Sequence, residues 1–162
     1  MADILQQTST NRILVVDDDQ MLIDEYVRCL SEDFDEDHAA TTFSDLEKVL
    51  FGEDTNEQGA ARFDVESQNQ GEAAVEAVKT AIGQGEPFSI VFLDIRMPPG
   101  MDGIEAARQI RELDANVNIV IVTGSMGPEP ENLGKDIPPA DKIFFFKKPF
   151  HALECRQLAA AL

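Results

Sequence analysis

The stretch Phe88-Ser89-Ile90-Val91-Phe92-Leu93-Asp94 is a nearly unbroken apolar run that ends on an acid. Strict alternation would mark a strand with one wet face. Continuity marks a strand buried on both faces, as in a parallel sheet covered by helices. Three further runs have the same character: Ile13-Leu14-Val15-Val16, Val117-Asn118-Ile119-Val120-Ile121-Val122 and Ile143-Phe144-Phe145-Phe146. A fifth, Phe63-Asp64-Val65, is weak and alternating, which suits an edge strand. Between the runs, apolar residues recur at helical spacing: Ile23, Tyr26, Val27 and Leu30; Ala74, Val75, Val78 and Ile82; Ile104, Ala107 and Ile110. Asp102-Gly103-Ile104-Glu105 opens the last of these with the pattern of a capping box. Residues 151–162, rich in Ala and Leu, read as one more helix. Strands alternating with helices give an α/β fold with a parallel sheet. Right-handed crossovers place helices on both faces, and ligands bind outside the carboxyl ends of the strands.

Composition sets the limits on function. The 162 residues carry 31 acids against 13 bases, a formal charge of −18. Such a balance argues against non-specific binding to nucleic acid or to an anionic membrane, both of which need a basic footprint. No apolar run approaches the roughly 20 residues of a membrane span, and the polar tail 1–11 lacks a signal core. A cytoplasmic location is the expectation. Cys29 and Cys155 match no metal-binding spacing and read as two reduced thiols on helix faces.

Two stretches interrupt the rhythm. Asp18 and Asp94 lie 76 residues apart, whereas two helices, two strands and their loops need only about 50. The surplus falls in 31–61, read as an insertion that carries a short helix opened by the capping box Ser44-Asp45-Leu46-Glu47. From Ser31 to Glu57 there are 10 acids and one base, so this segment reads as a solvated acidic surface. The second break, Gly124 to Pro139, holds Gly124, Gly127, Gly134, Pro128, Pro130, Pro138 and Pro139. It predicts at most one helical turn near Glu129–Leu133, because interior Pro and Gly oppose a helix by about 3 and 1 kcal/mol.

The chemistry sits at the strand ends. The first strand ends in Asp17-Asp18-Asp19, the third in Asp94, the fourth in Thr123-Gly124 and the fifth in Lys147-Lys148-Pro149-Phe150. Singly, each residue has a plain structural use: a helix cap, a turn, a strand hydroxyl, a surface lysine. Together they fall at one edge of the sheet. Two carboxylates about 4 Å apart repel by roughly 4 kcal/mol at an effective dielectric of 20, so clustered acids require a cation. Hard oxygen ligands suit Mg²⁺, and a lysine adds a compact positive charge. That combination fits phosphoryl transfer, which depends on positioning and charge neutralisation, with one carboxylate as nucleophile forming an aspartyl phosphate.

With these motifs assembled, the chain resembles the receiver domain of two-component response regulators. The resemblance rests on Ile13-Leu14-Val15-Val16-Asp17-Asp18, Leu93-Asp94-Ile95-Arg96-Met97-Pro98, Met101-Asp102-Gly103, Val120-Ile121-Val122-Thr123-Gly124 and Lys148-Pro149-Phe150. It runs over 12–162, interrupted at 31–61, and is nearest to the long-insertion receivers of multidomain sensor proteins. It implies a flavodoxin-like, doubly wound five-stranded sheet of order 2-1-3-4-5. It implies Asp94 as phosphoacceptor and Asp18 as a metal ligand, with Asp17 helping through water. The backbone carbonyl of Arg96 would be a further ligand, for Mg²⁺ or Mn²⁺ in its place. Thr123 would be the switch hydroxyl, Lys148 the catalytic lysine joined to Pro149 by a cis peptide, and Phe145 the aromatic that changes rotamer. The implied role is phosphorelay signalling rather than enzymatic turnover, the domain only helping its own phosphorylation and dephosphorylation. The implied partners are a histidine kinase or phosphotransfer protein and a downstream protein target or attached output domain, with the chain a monomer or weak dimer. By the same resemblance, Arg96 and Ser125 would flank the pocket and tune the lifetime of the phosphate. The turn after Asp94 is one residue longer than the commonest form.

Two other readings share these residues. Asp17-Asp18-Asp19 contains the Asp-x-Asp that opens a phosphatase of the haloacid-dehalogenase type, but only Glu154 follows Lys148 as an acid. A pseudo-receiver that binds a protein without phosphorylation is the other.

Overall fold

The computed structural model describes residues 11–31, 63–124 and 130–162. The expected helix near Ser44, most of the 31–61 insertion and Ser125 lie outside them. Five parallel strands form one sheet in the order β2-β1-β3-β4-β5. They are β1 (Arg12–Val16), β2 (Asp64–Gln68), β3 (Ile90–Asp94), β4 (Asn118–Thr123) and β5 (Ile143–Lys147). The helices are α1 (Gln20–Leu30), α2 (Gly71–Gln84), α3 (Gly103–Leu113), α4 (Pro130–Asp136) and α5 (Ala152–Ala161). No helix among the described residues is long and apolar enough to cross a membrane.

The central strands are apolar on both sides because both sides are covered. Along β1, Ile13 and Val15 join Tyr26, Cys29 and Leu30 of α1 and Cys155 and Ala159 of α5 in one core. Leu14 and Val16 point the other way, into a second core with Ala74, Val78, Ala106, Ile110 and Leu133 from α2, α3 and α4. A side-chain period of two makes this division.

Three elements differ from the sequence expectation. β5, read from its unbroken apolar run as buried on both faces, is the second edge strand, and Phe145 on it is 39% exposed. The edge strand β2 runs from Asp64 to Gln68 instead of stopping at Val65. Glu66, Ser67 and Gln68 carry no apolar signal; their extended form comes from pairing with Leu14, Val15 and Val16, and an edge position tolerates their polarity. The Gly/Pro-rich break holds two turns of helix rather than one. Pro130 stands at its first position, where a missing N–H costs nothing. Leu133, and Ile137 just past its end, anchor it in the core.

The far side of α3 is held by a buried cation. Arg111 Nη1 donates to the carbonyls of Asp114, Ala115 and Val117 at 3.2, 3.1 and 2.7 Å, and Nη2 donates to that of Lys142 at 3.0 Å. Burial lowers its pKa, and the charges of Asp114 and Asp141 oppose that. One side chain thus joins the end of α3 to the approaches of β4 and β5. Arg111→Ala leaves these carbonyls short of a charged donor and should lower unfolding free energy by about 2–4 kcal/mol in urea titration. A loss below about 1 kcal/mol would mean the bridge contributes little.

Candidate functional site

The site forms where β1, β3, β4 and β5 end. A carboxylate oxygen from each of Asp17, Asp18 and Asp94 lies within 4.8 Å of the others. Asp17 is 1% exposed and Asp94 6%, whereas Asp18 faces solvent. Local structure separates the three consecutive acids. Asp17 Oδ1 accepts the backbone N–H of Asp19 at 2.9 Å, which tightens the turn. Asp19 caps α1, its Oδ1 accepting the N–H of Met21 at 2.9 Å, and so is committed to the helix. Asp17 and Asp18 remain for the cluster.

Lys148 supplies the cation. Its Nζ donates to Asp17 Oδ2 at 2.6 Å and lies 3.2 Å from Asp94 Oδ1. Burial alone would lower the Lys148 pKa, but the hydrogen bonds and charges of Asp17 and Asp94 outweigh it and raise it. The Asp94 carboxyl is raised: burial is the largest cause, Lys148 opposes it, and Asp17 and Asp18 add to it. Three carboxylates against one ammonium leave a surplus of two negative charges in a compact set of hard oxygens. That donor chemistry fits a divalent cation of the Mg²⁺ type.

The remaining predicted residues take varied positions. Thr123 ends β4, and its hydroxyl donates to the carbonyl of Gly124 at 3.2 Å rather than to the acids. Its carbonyl accepts the Lys148 N–H at 2.8 Å, which fixes the turn that delivers the lysine. The Lys148–Pro149 peptide is cis. Arg96 lies exposed in the loop beyond Asp94. Phe145 is 39% exposed, while Phe144 and Phe146 on the opposite parity of β5 pack against the α1/α5 core. Glu154 accepts the His151 N–H at 3.0 Å, capping α5.

Two contributors were not singled out for the site from the sequence, although Gly103 lies in the Met101-Asp102-Gly103 motif. Gly103 opens α3 directly against the peptide that follows Asp94, donating its N–H to Ile95 O at 2.9 Å. Asp102 beside it accepts the Glu105 N–H at 2.9 Å and caps the helix. Glu72, in the first turn of α2, accepts the Met101 N–H at 2.8 Å and holds the lengthened turn in place. Gly103 stood in a recognised capping pattern, but its contact with Asp94 is a tertiary fact.

Comparison with known proteins bears on the family and the fold. The family model for the response regulator receiver domain matches residues 55–158. The chain is 33% identical to the response regulator receiver protein CpdR of Brucella abortus over 114 residues, covering 65% of this chain and 88% of that protein. A 58-residue stretch is 40% identical to Histidine kinase 2 of Arabidopsis thaliana, covering 34% of this chain and 5% of that much longer protein. Among solved structures, a response regulator receiver protein from Sinorhizobium medicae superposes with a TM-score of 0.60 at 25% identity, covering 93% and 94% of the two chains. Sheet order, acid cluster, bridging lysine and sequence match converge, and the chain belongs to the response regulator receiver domain family.

Proposed function

We propose that Asp94 accepts a phosphoryl group from a histidine kinase or a phosphotransfer protein, and that the chain signals through the resulting change of conformation. The observation that carries this reading is the Lys148 ammonium bridging Asp17 and Asp94 beside Asp18 at the carboxyl edge of the sheet. Asp17, Asp18, Asp94 and the carbonyl of Arg96 would hold Mg²⁺, or Mn²⁺ in its place. The bound ion would neutralise charge on the phosphoryl oxygens.

The protein groups do the rest. Asp94 is the nucleophile: a carboxylate oxygen forms the bond to phosphorus as the donor's phosphorus–nitrogen bond breaks. Lys148, with Nζ 3.2 Å from Asp94 Oδ1, would pair with a phosphoryl oxygen. The Thr123 hydroxyl exchanges Gly124 O for another phosphoryl oxygen, a stronger, charge-assisted acceptor. Withdrawal of Thr123 toward the site opens space beside it for Phe145, whose exposed ring turns inward and alters the β5 surface that a downstream partner reads. The output is a population shift between two states.

Incubation with Mg²⁺ and acetyl phosphate, followed by peptide mass mapping, tests the reading. The wild type should gain one phosphoryl group on Asp94, and Asp94→Asn should gain none. Phosphate on another residue, or an unmodified wild type with every donor tried, would overturn it.

A further inference from the structure

The chain has two cysteines in all, and the fold brings them together. Cys29 lies in the last turn of α1 and Cys155 in the first turn of α5, both 0% exposed in the core these helices share. The two thiols are within hydrogen-bonding reach of each other. The Cys29 thiol also donates to the carbonyl of Tyr26 at 3.3 Å. The guanidinium of Arg156, next to Cys155, donates from Nη1 to the carbonyl of Cys29 at 3.3 Å, a second link between the two helices at this point. A single buried cysteine is an ordinary small apolar residue. A mutual contact between the only two, from helices far apart in sequence, is a different matter.

We propose that Cys29 and Cys155 form a reversible disulfide that staples α1 to α5 when the chain meets a peroxide. The staple joins the helix that follows the Asp17–Asp19 turn to the helix that follows the Lys148–Pro149 turn. It does not depend on what Asp94 accepts.

The two thiols are not equivalent. The hydrogen bond from Cys155 holds the Cys29 pKa below the ordinary thiol value against the effect of burial. The same bond, with burial, pushes Cys155 far up. Either thiol can attack and the other resolve, with the same bond as product; with Cys29 attacking, the steps are these. Cys29 Sγ attacks one peroxide oxygen; the O–O bond breaks, giving a sulfenic acid and hydroxide. Cys155 Sγ then attacks Cys29 Sγ, and the S–O bond breaks. Both thiol protons end in water, so two thiols are oxidised while hydrogen peroxide is reduced to two waters. Burial slows entry of the oxidant. Access comes through local opening of α5, a ten-residue helix too short to persist without its packing.

The test uses the full, reduced chain treated with hydrogen peroxide, quenched with catalase, and assayed for free thiols in denaturant. The count should fall from two to near zero and return with dithiothreitol. A peptide linking Cys29 to Cys155 should appear by mass mapping. Cys29→Ser and Cys155→Ser should each yield no such peptide. Because the linkage closes a long loop, the oxidised wild type should melt about 4–16 °C higher than the reduced one, and neither variant should show this rise. Two thiols persisting in the treated wild type would overturn the proposal. So would their loss to intermolecular links or irreversible oxyacids, or a linked form with unchanged Tm.

Discussion

Gly103→Ala should cost about 3 kcal/mol of stability and slow phosphorylation of Asp94 roughly 100-fold. A Cβ on residue 103 would stand 2.0 Å from the carbonyl oxygen of Asp94, and 2.8 Å from both the carbonyl carbon of Asp94 and Cα of Ile95. All three are backbone atoms, so no side-chain rotation relieves the clash. Either α3 lifts off β3, exposing Ala106, Ala107 and Ile110, or the peptide after Asp94 shifts. The first exposes core, and the second moves the proposed nucleophile relative to Lys148, where misplacement by about 1 Å can cost about 100-fold in rate. Gly83→Ala is the internal control. It lies inside α2 with nothing within 4 Å of the added methyl, so it should stabilise by about 0.5–1 kcal/mol through helix propensity. Urea midpoints and acetyl phosphate kinetics on the two variants check both signs. If Gly103→Ala falls within 1 kcal/mol of wild type, the contact between α3 and the end of β3 is looser than described.

These glycines show where reading a chain in one dimension succeeds and where it stops. β1, β3 and β4 were legible because burial on both faces forces unbroken Ile, Val, Leu and Phe, a pattern no surface element needs. The polar half of β2 was not, because Glu66, Ser67 and Gln68 are held by register with β1 and not by preference of their own. In the site, the residue types and their places at strand ends were readable, since the topology sends every strand's carboxyl end to one edge. Their pairings were not. That Asp19 is committed to capping α1, that the Thr123 hydroxyl rests on Gly124 O, and that Lys148 sits nearer Asp17 than Asp94 are products of backbone geometry. The meeting of Cys29 and Cys155 follows from the packing of α1 on α5, which neither helix encodes alone.

Lys148→Met should lower stability by about 2–3 kcal/mol at neutral pH, with a loss that depends on pH in a way a packing defect would not. Methionine keeps most of the apolar stem, so the change isolates the ammonium. Without it, Asp17 stays buried with the Asp19 N–H as its remaining hydrogen bond among the described residues, and Asp94 loses its ion pair. Breaking a fully buried pair costs about 3–5 kcal/mol; the partial exposure of Lys148 and solvent at Asp18 reduce that. The sign with pH follows from the two raised pKa values. In the folded wild type, Asp94 already binds its proton more readily than in the unfolded chain, with Lys148 opposing. Removing Lys148 removes the opposition, so the folded variant takes up a proton earlier as pH falls from neutral toward the ordinary Asp value of 3.8. The folded state then binds more protons than the unfolded one, and the variant's deficit shrinks across that window. At the other end, the raised pKa of Lys148 means its contribution is intact below the ordinary value of 10.5 and is lost as pH rises through the higher folded value. The gap should therefore close in alkali as well, leaving a maximum near neutrality. Asp94→Asn added to Lys148→Met should restore about 1–2 kcal/mol at neutral pH, because the second substitution removes a buried charge that has lost its partner. Thermal or urea unfolding from pH 4 to pH 11 on the four members of the cycle reads all of this. A deficit constant across that range, or a double variant no more stable than Lys148→Met, would mean that Lys148 contributes through its stem and that its charge does not balance the acids.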